Sequence, residues 1–125
     1  MNKAVSLLEL MVVVIIIGIL ATVAITQFSA PKEQVIEKEA KASLKLIAAA
    51  QKMYRLEHFF YANPGTTTAV NTNLRLNLVN TSSAKWNYSI TADANSFNAT
   101  ATRINPSSPA KVFFINETME DAKKQ

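Results

Sequence analysis

Leu10 to Ile25 reads LMVVVIIIGILATVAI, an apolar run with Glu9 standing directly before it, and nothing later in the chain is as apolar. Val12 to Ile17 is an unbroken β-branched stretch, a poor intrinsic helix former in water. In water it could serve as a buried strand or promote aggregation. In lipid every backbone N–H and C=O has to be paired within the segment, so a single span is a helix. From Val5 to Ile25 that helix would be about 31 Å long at about 1.5 Å per residue, against a hydrocarbon core of about 30 Å. At about −0.5 kcal/mol for each large aliphatic residue, insertion gains on the order of 6 kcal/mol, and one acid near the helix end costs about 3 kcal/mol or less. Glu9 therefore does not prevent insertion. A charge at that depth is still expensive and by default carries a function and a partner. Lys3, ahead of the span, predicts a cytoplasmic N-terminus and a C-terminal part on the other side.

Beyond the span the pattern changes to a helical period. Ile36, Ala40, Ser43, Ile47, Ala50 and Tyr54 fall on one helix face. Ala42, Leu46, Ala49, Met53, Leu56 and Phe60 form an adjacent stripe, so the apolar face is broad. This predicts an amphipathic continuation of the first helix to about Tyr61, kinked or briefly interrupted near Pro31. Phe59, Phe60 and Tyr61 would close the helix and begin the core. Asn63-Pro64-Gly65 is a turn signal. Thr66 to Asn73 reads as a polar loop, and Leu74, Leu76 and Leu78 as a short strand or a single helical turn.

From Trp86 the period is two. Trp86, Tyr88 and Ile90 alternate with polar residues, then Phe97, Ala99 and Ala101 do so after a turn at Asp93-Ala94-Asn95. Asn105 to Pro109 reads as the next loop and Val112 to Ile115 as a last strand. An antiparallel meander with one wet face follows. Such a sheet is marginal alone, and the apolar face of the helix is its natural cover. Glu117 to Gln125 reads as a frayed tail or short helix. The expected fold class is α+β: a long N-terminal α-helix, membrane-spanning and then amphipathic, packed on a small antiparallel β-sheet.

Composition narrows the chemistry. The chain has 125 residues, enough for one modest core after the span. There is no cysteine, which excludes disulfides and thiolate metal sites. The net charge of +4 is moderate and is weak support for a nucleic-acid partner. Lys38, Lys41, Lys45, Lys52 and Arg55 recur at helical spacing and read first as a solvated face with buried stems; contact with neighbouring subunits or an anionic ligand is the functional alternative. His58, the one histidine, reads as a helix-end residue near the last carbonyls, with no metal expected. The chain lacks a glycine-rich phosphate loop, H-E-x-x-H and G-x-S-x-G, so no catalytic residues, no cofactor and no enzyme activity are expected. Four Asn-x-Ser/Thr patterns, at Asn80, Asn87, Asn98 and Asn116, read as chance in an Asn/Thr-rich chain.

Three readings of the apolar segment compete. A secretory signal would place cuts after Ala24 or Ala30, neither of which has a clean A-x-A. A plain single-span anchor would carry a monomeric binding domain and leave Glu9 incidental. The third rests on a resemblance. Val5-Ser6-Leu7-Leu8-Glu9-Leu10-Met11-Val12-Val13-Val14, followed by Ile16-Ile17-Gly18-Ile19-Leu20-Ala21, resembles the N-terminus of type IV pilins and type II secretion pseudopilins. It covers about the first 28 residues and combines a short leader, an acid at fixed distance from the cut and the apolar run behind it.

The resemblance implies a leader over 1–4, cleavage between Ala4 and Val5 by a prepilin peptidase, N-methylation of Val5, and Glu9 as the family's glutamate at the fifth mature position, used in assembly and register. It implies a transmembrane and polymerisation helix over 5–27, an amphipathic continuation over 28–61 and a C-terminal β-sheet globular part with a polar tail over 62–125. The chain departs from the usual pattern with Ala4 for Gly, Val5 for Phe and Thr26 for Pro; Thr26 can continue a helix, so a straighter segment is expected. The family implies a pilin-like fold, a homo-oligomeric helical filament, an inner-membrane precursor, an assembly machine and a surface pilus. A pilus subunit is favoured over a type II secretion or competence pseudopilin. Many major pseudopilins bind calcium in an acidic C-terminal loop, whereas Asp93, Glu117, Glu120 and Asp121 lack dense oxygen-ligand spacing. A DNA-uptake subunit with phosphate-binding lysines is a further alternative.

Overall fold

The computed structural model describes residues 3–27, 29–104 and 111–125. Phe28, where the first helix was expected to pass into the second, lies outside the described residues, as does the loop expected at Asn105–Pro109. The chain forms two compact units, Met1–Val35 and Ile36–Gln125.

In the first unit, helix α1 spans Leu7–Gln27. Ser6 caps it: its hydroxyl accepts from the Glu9 N–H at 3.2 Å and its carbonyl from the Leu10 N–H at 3.1 Å. The Ser6-x-x-Glu9 spacing is that of a capping box. Thr22 donates its hydroxyl to the carbonyls of Ile19 and Gly18, at 2.8 and 3.1 Å, so this polar group needs no partner outside the helix. Helix α1 runs through Thr26, as expected from a residue that tolerates helix.

Helix α2 spans Ser29–His58. Pro31 falls in its first turn, where a missing N–H costs no hydrogen bond. The helix ends three residues before the expected Tyr61. Phe59 takes a left-handed conformation, φ 68°, and points into solvent; Tyr61 is the aromatic of that trio that enters the core.

The second unit is built on a four-stranded antiparallel sheet, β1 (Trp86–Ala92), β2 (Phe97–Arg103), β3 (Val112–Asn116) and β4 (Lys123–Lys124), in that spatial order. The central strand β2 turns small residues inward: Ala101 faces Tyr88 and Phe113, and Ala99 faces Ile90 and Ile115. Those alanines make room for a helix face, filled by Ile36, Ala40, Leu44, Ile47 and Ala48 of α2. Trp86 ties the two layers by donating its indole N–H to the Ile36 carbonyl at 2.9 Å. Gln51, fully buried, holds both backbone groups of Ala62, donating at 2.6 Å and accepting at 2.9 Å.

Three expectations are corrected. Thr66–Asn73 is not a loop: helix α3 spans Thr67–Leu74, with the Thr66 hydroxyl accepting from the Ala69 N–H and Val70 and Leu74 buried one turn apart. Residues Leu76 to Leu78 do not form a strand. The Asn71 side chain binds both the N–H and C=O of Leu78, at 2.8 and 2.9 Å, supplying the pairing that a neighbouring strand would have supplied. The tail is neither frayed nor helical. Met119 packs on the core, Ala122 is buried, and Lys123–Lys124 pair with Phe113 and Phe114.

Both sheet edges are managed. On the β1 edge, the Tyr88, Ile90 and Ala92 N–H groups donate to the Thr67 hydroxyl, the Pro64 carbonyl and the Asn63 side-chain oxygen. The other edge is a two-residue strand of lysines, which resists pairing with further chains.

Candidate assembly surface

Two apolar surfaces remain uncovered. The first is α1. Leu7–Ile25 has a mean hydropathy of 2.9 and no buried residue, unlike the core helix of a soluble protein. Ala4 and Val5 lie in an exposed stretch without regular structure just before it, so the bond between them is accessible. Glu9 occupies the first turn of α1, near the positive end of the helix dipole, where a carboxylate is favoured. Ser6, whose hydroxyl accepts from the Glu9 N–H, is not among the residues expected from the sequence, although its capping-box spacing to Glu9 is legible there.

The second surface is the outward stripe of α2. The sequence gives two adjacent apolar stripes, and the sheet takes only one. Leu46, Met53 and Leu56 are 50%, 65% and 81% exposed, with Ala42 and Ala49 exposed beside them. Their spacing alternates four and three residues, the seam that packs helix on helix. Between this stripe and the end of α3 lies a half-open cleft of about 600 Å³, floored by Leu46, Ala49, Met53, Leu74 and Leu76. Arg75 caps α3 in the left-handed region, φ 54°, and with Glu57 and His58 borders the cleft. His58 sits where expected: its Nδ1 lies 3.1 Å from the Tyr54 carbonyl and its ring stacks on Tyr54.

The basic residues of α2 do not make one uniform face. Lys45 pairs with Asp121, whose carboxyl is held below its usual range by that bond. Lys41 lies over the Phe113 ring at 5.3 Å. Arg55 lies over the Tyr61 ring and donates to its hydroxyl at 3.1 Å. Glu37 is likewise held down by its bond to Lys111. These contacts tie the tail, Tyr61 and the start of β3 to α2, and Lys32, Lys38 and Lys52 of the same helix are exposed beside them. Among the described residues no group of three or more His, Cys, Asp or Glu side chains is placed to hold a metal ion.

Two curated proteins are similar to this chain. Type II secretion system core protein G of Pseudomonas aeruginosa is 37% identical over 82 residues, 66% of this chain and 56% of that protein. Type IV major pilin protein PilA of Myxococcus xanthus is 42% identical over 62 residues, 50% of this chain and 28% of that protein. The matches thus span about half or less of these relatives' length. Both are longer than the apolar run, so the likeness is not that of one hydrophobic helix to another. No protein-family profile matches the chain, and no solved structure does.

Proposed function

We infer that this chain, which belongs to the type IV pilin and pseudopilin family, is a structural subunit that polymerises through α1 into a filament. The observation that carries this reading is a 19-residue apolar helix, unburied along its length, with an acid in its first turn. Lipid and the α1 helices of neighbouring subunits are alternative surroundings for that surface. In the first the precursor waits in the inner membrane; in the second the helices bundle in a filament core. The outward stripe of α2 is a second surface available to neighbours.

The register of such a bundle needs a polar group. Cleavage after Ala4 leaves an α-amine on Val5, with an unperturbed pKa of about 7.7–8.0, and methylation preserves its charge. Apolar helices slide past one another at little cost, whereas a buried ion pair is satisfied in one register. Glu9 of one subunit pairs with the Val5 amine of the next and fixes that register. Withdrawal from lipid is the costly step, which suits an energy-driven assembly machine. The product is a homo-oligomeric filament at the cell surface.

The test is the intact mass and N-terminal residue of protein sheared from cells. The expected species starts at methylated Val5 and comes from filaments visible by electron microscopy. A chain starting at Met1, or after Ala24 or Ala30, with no filaments, would leave an anchored or secreted monomeric domain instead. The match to a secretion core protein favours a second reading, a pseudopilin filament confined to the cell envelope. Under it the same processed species appears in the membrane fraction and sheared material contains none.

A further inference from the structure

The cations of the second unit collect at one end of its sheet. Trp86 donates its indole N–H to the Ile36 carbonyl at 2.9 Å, which fixes that end beside the residue where the unit begins. Arg103, opposite Trp86 in the register of β1 and β2, lies over the Trp86 ring at 5.6 Å and donates to the Lys85 carbonyl at 3.0 Å. The Arg103 N–H donates to the Lys111 carbonyl at 3.0 Å, and the Lys111 side chain pairs with Glu37. Lys41 and Lys124 also act on the Glu37 carboxylate. Lys41, Lys85 and Lys124 are exposed.

The other end of the same strands has a different character. Ala92 pairs with Phe97 there, Asp93 follows directly, and Glu117 accepts from the Phe97 N–H at 3.2 Å; Arg55 reaches the Asn95 side chain at 3.4 Å. At about 3.3 Å per residue the two ends of a strand of this length lie about 20 Å apart, more than twice the Debye length of about 8 Å at physiological ionic strength. A charged partner at the basic end therefore meets that end by itself. Glu37 and Glu39 oppose the cations there, Glu39 being close enough to act on the Tyr88 hydroxyl. One lysine satisfies Glu37, so the rest of the positive charge is surplus to that contact.

The connection of the chain selects the partner. The apolar span ends at Ile25 and the second unit begins at Ile36, so the basic end is the end by which the unit is tethered to the span. Trp86 and Phe113, the rings beneath Arg103 and Lys41, are buried, which gives the bases of a nucleic acid no platform on which to stack. A plane of phosphates next to the tether needs no such platform. We propose that this end of the second unit docks on the anionic phospholipid headgroups of the membrane that α1 enters, and so orients the unit on the lipid surface before assembly. The proposal rests on the reading of α1 as a span. Each Lys or Arg near an anionic surface raises association about fivefold, so docking depends on lipid charge and on salt.

The test places the isotope-labelled full chain in lipid nanodiscs that carry a gadolinium-chelating headgroup, and reads the broadening of amide signals. Discs of phosphatidylcholine are compared with discs of an equal mixture of phosphatidylcholine and phosphatidylglycerol. Broadening at Lys85, Arg103, Lys111 and Lys124 should be at least about twofold greater in the mixed discs, with little change over 93–98. The gain should disappear in molar salt, where the Debye length falls to about 3 Å. Lys85→Glu and Lys124→Glu, both at exposed positions, should each remove much of it with the amide spectrum otherwise unchanged, and Lys52→Glu, further along α2, should not. Hydrogen exchange of the α1 amides separates the two readings. Protected α1 amides without a gain at the basic end would overturn the docking alone, whereas freely exchanging α1 amides would overturn the span and the docking together. An equal gain over 93–98, a gain that survives both charge reversals, or release of the unit from mixed discs by duplex DNA at equal phosphate concentration would also overturn the proposal.

Discussion

At the residue scale, Glu9 has two claims on it. Its backbone N–H serves the Ser6 cap, and its carboxylate is left for the helix dipole and, in the proposed filament, for the Val5 amine. Glu9→Gln keeps the cap and removes the charge. Membrane insertion should therefore persist, measured by fractionation, while filament yield falls to background; normal yield would remove Glu9 from the register. Gln51 is the opposite case, a polar side chain whose whole role lies inside the fold. Gln51→Ala leaves the N–H and C=O of the buried Ala62 unpaired, so urea unfolding should show a loss of about 2–4 kcal/mol. Acid sensitivity belongs to this scale too. Asp93 is held below its usual range first by the Asn95 N–H and then by Ser96, as Glu37 and Asp121 are by lysines. Carboxyls lowered in the folded state stabilise it above their unfolded pKa values, about 3.9–4.3, and that stability disappears as pH falls through the folded values. The urea midpoint should drop below about pH 4, and Asp93→Asn should flatten part of that drop.

At the scale of elements, α2 carries the main lesson. Periodicity shows that its apolar face is wider than one sheet needs, and only packing decides which half is covered. Ala50 and Tyr54 of the expected stripe pack partly buried against the core, but its centre is Leu44, Ala48 and Gln51 beside Ile36, Ala40 and Ile47, a face turned slightly around the helix. The stripe left outside is available to a neighbour. Met53→Glu and Leu56→Glu should leave the melting temperature of the subunit within about 2–4 °C, because both side chains are mostly exposed. The same variants should lower filament yield sharply if this stripe packs between subunits. Helix α3 was missed because its residues are polar and its two buried anchors, Val70 and Leu74, show one turn of period; the Thr66 cap was the signal available. β4 was missed because two lysines have no strand propensity of their own, and only the exposed edge of β3 gives them a partner.

At the scale of the whole molecule, the chain divides its labour. The unit Met1–Val35 contains the apolar helix through which assembly is proposed, and the unit Ile36–Gln125 contains the sheet and, among the described residues, every buried core residue. Removing residues 1–28 should therefore release a soluble domain that melts cooperatively by circular dichroism and leaves the membrane fraction. Precipitation, or a non-cooperative melt, would show that the core depends on α1. The sequence by itself determined the span, the acid before it, the three longer strands and which of their faces is wet. Each of these follows from a short-range period or from a run too apolar for water, which needs no knowledge of neighbours. Only the tertiary structure decided which α2 stripe is covered, how Asn71, Asn63 and Thr67 replace missing strand partners, and that the tail becomes a fourth strand. Those outcomes depend on backbone groups seeking partners across long separations in the chain, and no local pattern encodes where such a partner will be found.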